Sequence, residues 1–112
     1  MRIVIECTSA FEAKKLKSQI LEDVKNEELE TWEHTTAQSG NDIIFHNPDQ
    51  YVTEPKKNVI FSIDTDDNKV VFSTKYWSKN PQPSKEMNAL HTGRLVEVIL
   101  KQGYSNNFKV IS

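Results

Sequence analysis

At 112 residues and a formal net charge of −2, the chain has the length of one domain, 1–112, and can bury a core without disulfides or a structural metal. Its single cysteine, Cys7, excludes an intramolecular disulfide and fits a reducing compartment. No apolar stretch approaches the roughly 20 residues that span a bilayer. The N-terminal apolar run, Ile3-Val4-Ile5 before Glu6, lacks the form of a secretory leader, so the expected location is the cytoplasm.

Arg2–Cys7 alternates Ile3, Ile5 and Cys7 with Arg2, Val4 and Glu6, the pattern of a strand with one buried face. Ser9-Ala10-Phe11-Glu12 then fits the S-x-x-E capping box and predicts a helix running to about Asn26. Ala13, Leu16, Ile20, Leu21 and Val24 form its apolar stripe. Phe11 lies off that stripe and is expected to pack around the helix start or to meet another element. Residues 22–33 are strongly acidic: Glu22, Asp23, Glu27, Glu28, Glu30 and Glu33 stand against Lys25 alone. Acids at a helix C-terminus oppose the dipole there, which makes Glu27, Glu28 and Glu30 candidates for contact with a partner.

Leu29–Thr36 and Asp42–Asn47 read as two strands joined by a turn at Gly40-Asn41. Residues 47–58 contain two prolines and form a long surface loop. His46 at its entrance and Tyr51 within it are candidate contact residues. Val59–Trp77 is the clearest signal, a hairpin with an acidic turn. A turn centred on Asp66-Asp67 pairs Asp64 with Lys69, Ile63 with Val70, Phe61 with Phe72 and Val59 with Thr74. This register keeps Val59, Phe61, Ile63, Val70 and Phe72 on one face, where a slip of one residue would mix the faces.

Ser84 caps a second predicted helix, about Lys85–Gln102, ended by Gly103. Met87, Leu90, Leu95, Val98 and Ile99 are its expected inner face, with His91 beside it. Gly93 in its middle costs about 1 kcal/mol relative to alanine, which predicts close packing against a strand. Asn107–Ile111 is a short last strand. The expected fold is α+β, a two-layer sandwich of a mostly antiparallel sheet with two helices packed on one face.

The chemical motifs are incomplete. Asp64-Thr65-Asp66-Asp67-Asn68 opens like a calcium loop, but Lys69 stands where glycine permits the turn and Lys75 where a bidentate glutamate belongs. Pro48-Asp49 with Glu54-Pro55-Lys56 resembles the PD…ExK signature of a nuclease family that holds a divalent cation. Only four residues separate its two acids, and Pro55 replaces a strand residue. The three histidines lack metal-ligand spacing, and Cys7 has neither a C-x-x-C partner nor the arginine of a phosphate loop. No catalytic residue, metal or cofactor is assigned.

Lys75-Tyr76-Trp77-Ser78-Lys79 mixes bases with aromatics, which suits a protein interface or stacking on single-stranded nucleic acid. The element order coarsely resembles RNA-binding sandwich domains, but the glycines of their stacking motif are missing around Phe72. A net acidic domain favours a protein partner. The expectation is a non-catalytic protein-binding module, for example an inhibitor or immunity-type protein that neutralises a basic partner such as a nuclease toxin. Its contact residues would be Lys75, Tyr76, Trp77 and Lys79, the acidic turn Asp64, Asp66 and Asp67, and Glu27, Glu28, Glu30, His46 and Tyr51. A single-stranded nucleic-acid-binding domain is the alternative, followed by a small metal-dependent hydrolase.

Overall fold

The computed structural model describes residues 1–46, 59–78 and 82–112. In chain order the elements are β1 (Arg2–Glu6), α1 (Ala10–Lys25), β2 (Trp32–Thr36), β3 (Asp42–His46), β4 (Ile60–Asp66), β5 (Lys69–Lys75), α2 (Lys85–Lys101) and β6 (Phe108–Ile111). The strands form one open antiparallel sheet in the order β2-β3-β4-β5-β1-β6. This is the expected α+β architecture.

Alternation along the strands divides the sheet into two unlike faces. The inner face carries Ile3, Ile5, Ile44, Phe61, Ile63, Val70 and Phe72, all essentially without exposure. Ala13, Ile20, Leu21 and Val24 of α1 pack there in one cluster with Leu95 and Ile99 of α2. Both helices therefore cover the same face. Each fully buried aliphatic or aromatic side chain contributes roughly 2 kcal/mol, so this layer is the main source of stability. No helix among the described residues covers the outer face. Phe11 is 71 % exposed, so most of its ring faces solvent.

Both helices begin as their sequences dictate. Ser9 adopts an extended conformation and its hydroxyl accepts from the Glu12 backbone N–H at 3.1 Å. Ser84 does the same for Met87, also at 3.1 Å. Both helices end in the same six-residue hydrogen-bond pattern, in which the second residue past the cap bonds back to the third-last helical carbonyl. In α1 the Glu28 N–H donates to Asp23 O and the Glu27 N–H to Val24 O. In α2 the Tyr104 N–H donates to Ile99 O and the Gly103 N–H to Leu100 O. The Tyr104 hydroxyl then donates to the Asp23 carboxylate, strapping the two helix ends together. Burial and the Asp23 charge hold that phenol protonated, well above its ordinary range. Asp23 also accepts from Gln19 Nε2 at 2.9 Å, so this member of the acidic run is engaged within the fold.

The central hairpin differs from the sequence expectation by two residues. Asp66 lies opposite Lys69, Ile63 opposite Phe72 and Phe61 opposite Thr74. The expected pairings of Asp64 with Lys69 and Phe61 with Phe72 do not form. A two-residue shift preserves the faces, which is why Val59, Phe61, Ile63, Val70 and Phe72 are still all buried. In the observed register the two turn residues are Asp67 and Asn68. Asp67 takes φ 54°, the positive value that tight hairpin turns favour at their first central position. Asn68 is then free to bind β1: its Nδ2 donates to Cys7 O, and the Cys7 N–H donates to Asn68 O, both at 2.8 Å.

Helix α2 is rotated from its expected setting. Its buried residues are His91, Thr92, Leu95 and Ile99, while Leu90 is exposed and Met87 and Val98 are half-buried. The Gly93 expectation also fails: a Cβ there would meet nothing within 4 Å, so no close approach requires the glycine.

Candidate functional site

The outer face bears a groove, although its strand residues Ile43, Ile60 and Ser62 are each 5 % exposed or less. Registers place Ile43 beside Ser62, and Phe45 beside Ile60 with Lys75 next in the same row. Ile43, Ile60 and Ser62 form the floor of a groove of about 820 Å³. Lys75, Tyr76 and Trp77 form one wall as the chain leaves β5. Tyr76 is 44 % and Trp77 37 % exposed, so both rings are available on the rim. The opposite wall is the β2–β3 turn, with Gln38, Ser39 and Asn41.

That second wall is firmly built. The Ala37 N–H donates to Asn41 O and the Gly40 N–H to Ala37 O, each at 2.9 Å. Gly40 takes φ 90°, which a side chain would resist. Just below the turn, Asp42 lies 2.9 Å from His34 Nε2 and 3.4 Å from Lys17 Nζ, tying the hairpin to α1. The His34 hydrogen bond and the nearby Lys17 hold the Asp42 carboxyl below its usual range against the opposing effect of burial.

The groove contains the expected residues Lys75, Tyr76 and Trp77 and, among the described residues, none of the others. Asp64, Asp66 and Asp67 are exposed at the opposite end of the β4–β5 hairpin, a β5 strand length away. Six steps at about 3.3 Å make that roughly 20 Å. Asp66 there borders a mixed-charge depression with Arg2, Glu6, Lys69 and Lys109. Among the described residues no group of three or more His, Cys, Asp or Glu side chains is placed to hold a metal ion. Lys79, Tyr51 and the nuclease-like string Pro48–Lys56 lie outside the described residues.

Glu27, Glu28 and Glu30 are exposed between α1 and β2. Glu28 and Glu30 face Glu97 and Lys101 across a cleft of about 340 Å³. On the other side of the same segment, Glu27 and Glu30 line a second depression with Lys25 and His34. Glu27 takes φ 61°, the left-handed conformation normally given to glycine at a helix end.

His46 is not at the surface. It is 7 % exposed on the inner face, with its ring 5.4 Å from Trp32 and 6.1 Å from His91, centre to centre. It joins α2 to the sheet rather than meeting a partner. Burial, the neighbouring His46 and Arg94 push His91 down to about 4, and burial followed by Arg94 lowers His46. Cys7 is half-buried against the core, and burial with the nearby Glu12 charge raises its thiol, keeping it protonated rather than nucleophilic. Among the described residues no helix is long and apolar enough to cross a membrane.

Sequence reasoning identified one wall of the groove and missed the other. Gln38, Ser39 and Asn41 read as an ordinary polar turn, and only the β3–β4 pairing brings them to the same face as Trp77. No protein-family model, curated protein or solved structure matches this chain.

Proposed function

We propose that this protein is a non-catalytic protein-binding module whose contact surface is the outer face of its sheet. One observation carries the reading: Tyr76 and Trp77 stand exposed side by side on the rim of a groove, on the face that no helix among the described residues covers. Large amphipathic aromatics beside an apolar depression are the usual anchors of protein interfaces, because they bury much area while losing little side-chain freedom. Among the described residues the groove's lining holds one cation, Lys75, whereas single-stranded nucleic acid needs a basic track along its phosphates. A pull-down from native lysate tests it by comparing the wild type with a Tyr76→Ala/Trp77→Ala double variant of unchanged circular dichroism. A specific partner lost by the double variant is expected. An identical capture profile for the two proteins contradicts the reading.

A second reading rests on the acidic end of α1. Glu27, Glu28, Glu30 and Glu97 present four carboxylates to solvent around two depressions. This supports an inhibitor or immunity-type role against a basic partner such as a nuclease toxin, with the carboxylates accelerating encounter. Replacing Glu27, Glu28 and Glu30 by glutamine would then slow association and flatten its salt dependence. Unchanged association with such a partner removes this second reading and leaves the first intact.

A further inference from the structure

We infer that β6 pairs antiparallel with β6 of a second copy of this chain, joining two six-stranded sheets edge to edge with Val110 against its counterpart on the two-fold axis. This goes beyond the outer-face reading and uses a different surface.

Backbone direction comes first. In an antiparallel ladder alternate residues turn their N–H and C=O toward a given neighbour. The Cys7 N–H donates to Asn68 O and the Thr74 N–H to Met1 O, so the odd-numbered residues of β1 bond to β5. Its even-numbered residues face β6, as the Glu6 N–H does in donating to Asn107 O at 3.4 Å. Lys109 and Ile111, opposite Val4 and Arg2, therefore bond inward. Phe108 and Val110 turn their N–H and C=O groups out from the sheet edge, and among the described residues none meets them. Such a row of backbone groups is completed by another extended strand.

The two edges of the sheet are not alike. At the β2 edge the Trp32 N–H is already taken by Leu29 O at 2.8 Å, and Glu33 stands exposed on that strand. At the β6 edge Val110 is 48 % and Ile111 39 % exposed. Val110 lies opposite Ile3, on the side of the sheet that the helices cover, and almost half of it is still open.

Charge selects the occupant and the register. Outward groups must meet outward groups, which leaves two registers with substantial overlap between two copies of β6. One sets Phe108 opposite Val110 and Lys109 opposite Lys109, and like charges directly opposite are destabilising. The other sets Val110 opposite Val110 and Lys109 opposite Ile111. It opposes no like charges, lays the lysine stem over the exposed isoleucine and covers each Val110 with the other. Lys109 is the only charge on β6, so in this register the strand is complementary to itself. An interface this short forms a weak, concentration-dependent dimer.

The test is analytical ultracentrifugation of the full chain under reducing conditions, from about 10 μM to about 1 mM, the range of weak association. A monomer–dimer equilibrium is expected. Val110→Pro removes an outward N–H and leaves the β1 ladder whole, because an edge strand tolerates proline where its N–H would face solvent. Two hydrogen bonds are lost per dimer, which should weaken association at least about tenfold. Val110→Lys should weaken it too by setting like charges opposite, and circular dichroism checks both folds. Register is read in a Cys7→Ala background. On oxidation Val110→Cys should cross-link two chains, its Cα atoms lying about 5.5 Å apart, and Lys109→Cys should not. A monomer throughout the concentration range, a dimer indifferent to both Val110 substitutions, or faster cross-linking through position 109 overturns the inference. So does a monomer that captures a foreign protein through this edge and loses it in Val110→Pro. The outer-face reading rests on Tyr76 and Trp77 and is untouched by any of these outcomes.

Discussion

Helix α1 closes with Glu27 at φ 61° where helix α2 closes with Gly103 at φ 70°. The hydrogen bonds of the two ends are the same, residue for residue. Their inward faces are not. Helix α1 buries only apolar residues, Ala13, Ile20, Leu21 and Val24, whereas α2 buries His91 and Thr92 beside Leu95 and Ile99. Each helix thus departs from the cheapest solution in one place. In α1 the departure is at an exposed terminus, and a carboxylate occupies a position where glycine would relieve the backbone. In α2 it is in the core, where a titratable ring occupies a position that leucine would fill without a proton. The first sacrifices stability at every pH; the second makes stability depend on pH.

The largest test of this contrast is acidification. Unfolded, His91 titrates near the ordinary histidine value of 6.5; folded, burial pushes it down to about 4. Between those values the unfolded chain holds a proton that the folded chain lacks. Stability therefore falls as pH drops below about 6.5, and the loss is complete below about 4. At about 1.4 kcal/mol per pKa unit the loss is on the order of 3 kcal/mol. Burial lowers His46 in the same sense and adds to it. Urea unfolding of wild type and His91→Leu across pH 4 to 7 measures the difference. The variant should show a flatter profile, and parallel profiles would show that the acid response arises elsewhere.

Smaller effects probe the helix ends directly. Gly103→Ala forces a Cβ into the left-handed region and should cost about 1 kcal/mol. Glu27→Gly removes that strain but gives the unfolded chain more freedom, so the net gain should be only ~0.5 kcal/mol. Opposite signs in chemical unfolding would establish that the two ends are one motif filled in two ways. A loss of stability in Glu27→Gly would show instead that the glutamate carries a stabilising contact.

Much of the fold was legible because it rests on local chemistry. The Ser9 and Ser84 caps, the stop at Gly103 and the alternation of β1, β4 and β5 need only neighbouring residues. What the residues did not reveal depends on distant ones. The acidic turn offers two registers of equal parity, and Asn68 settles the choice by hydrogen bonding to Cys7, 61 positions away. The inward face of α2 has Leu90 and His91 as adjacent claimants, and hydropathy prefers the leucine. Packing selected the histidine, whose ring meets His46 on the sheet edge-on at 6.1 Å, while His46 in turn meets Trp32 at 5.4 Å. Glu27 was recognised as an acid near a helix end, but nothing in its neighbourhood announces a positive φ. The candidate site followed the same rule: its aromatic wall is contiguous in sequence, and its amide wall is assembled by strand pairing.

The position of β1 has a consequence for how the protein is made. Though synthesised before the other strands, this strand is interior, paired on one side with residues 69–73 and on the other with residues 108–111. Its backbone can acquire neither neighbour until most of the chain exists, while the β2–β3 and β4–β5 hairpins need only short loop closures. The sheet should accordingly assemble from its hairpins inward to its oldest strand. In pulse-labelled hydrogen exchange during refolding, amides of Ile63 and Phe72 should gain protection before those of Ile3 and Ile5. Simultaneous protection of all four would mean that β1 docks within the same step.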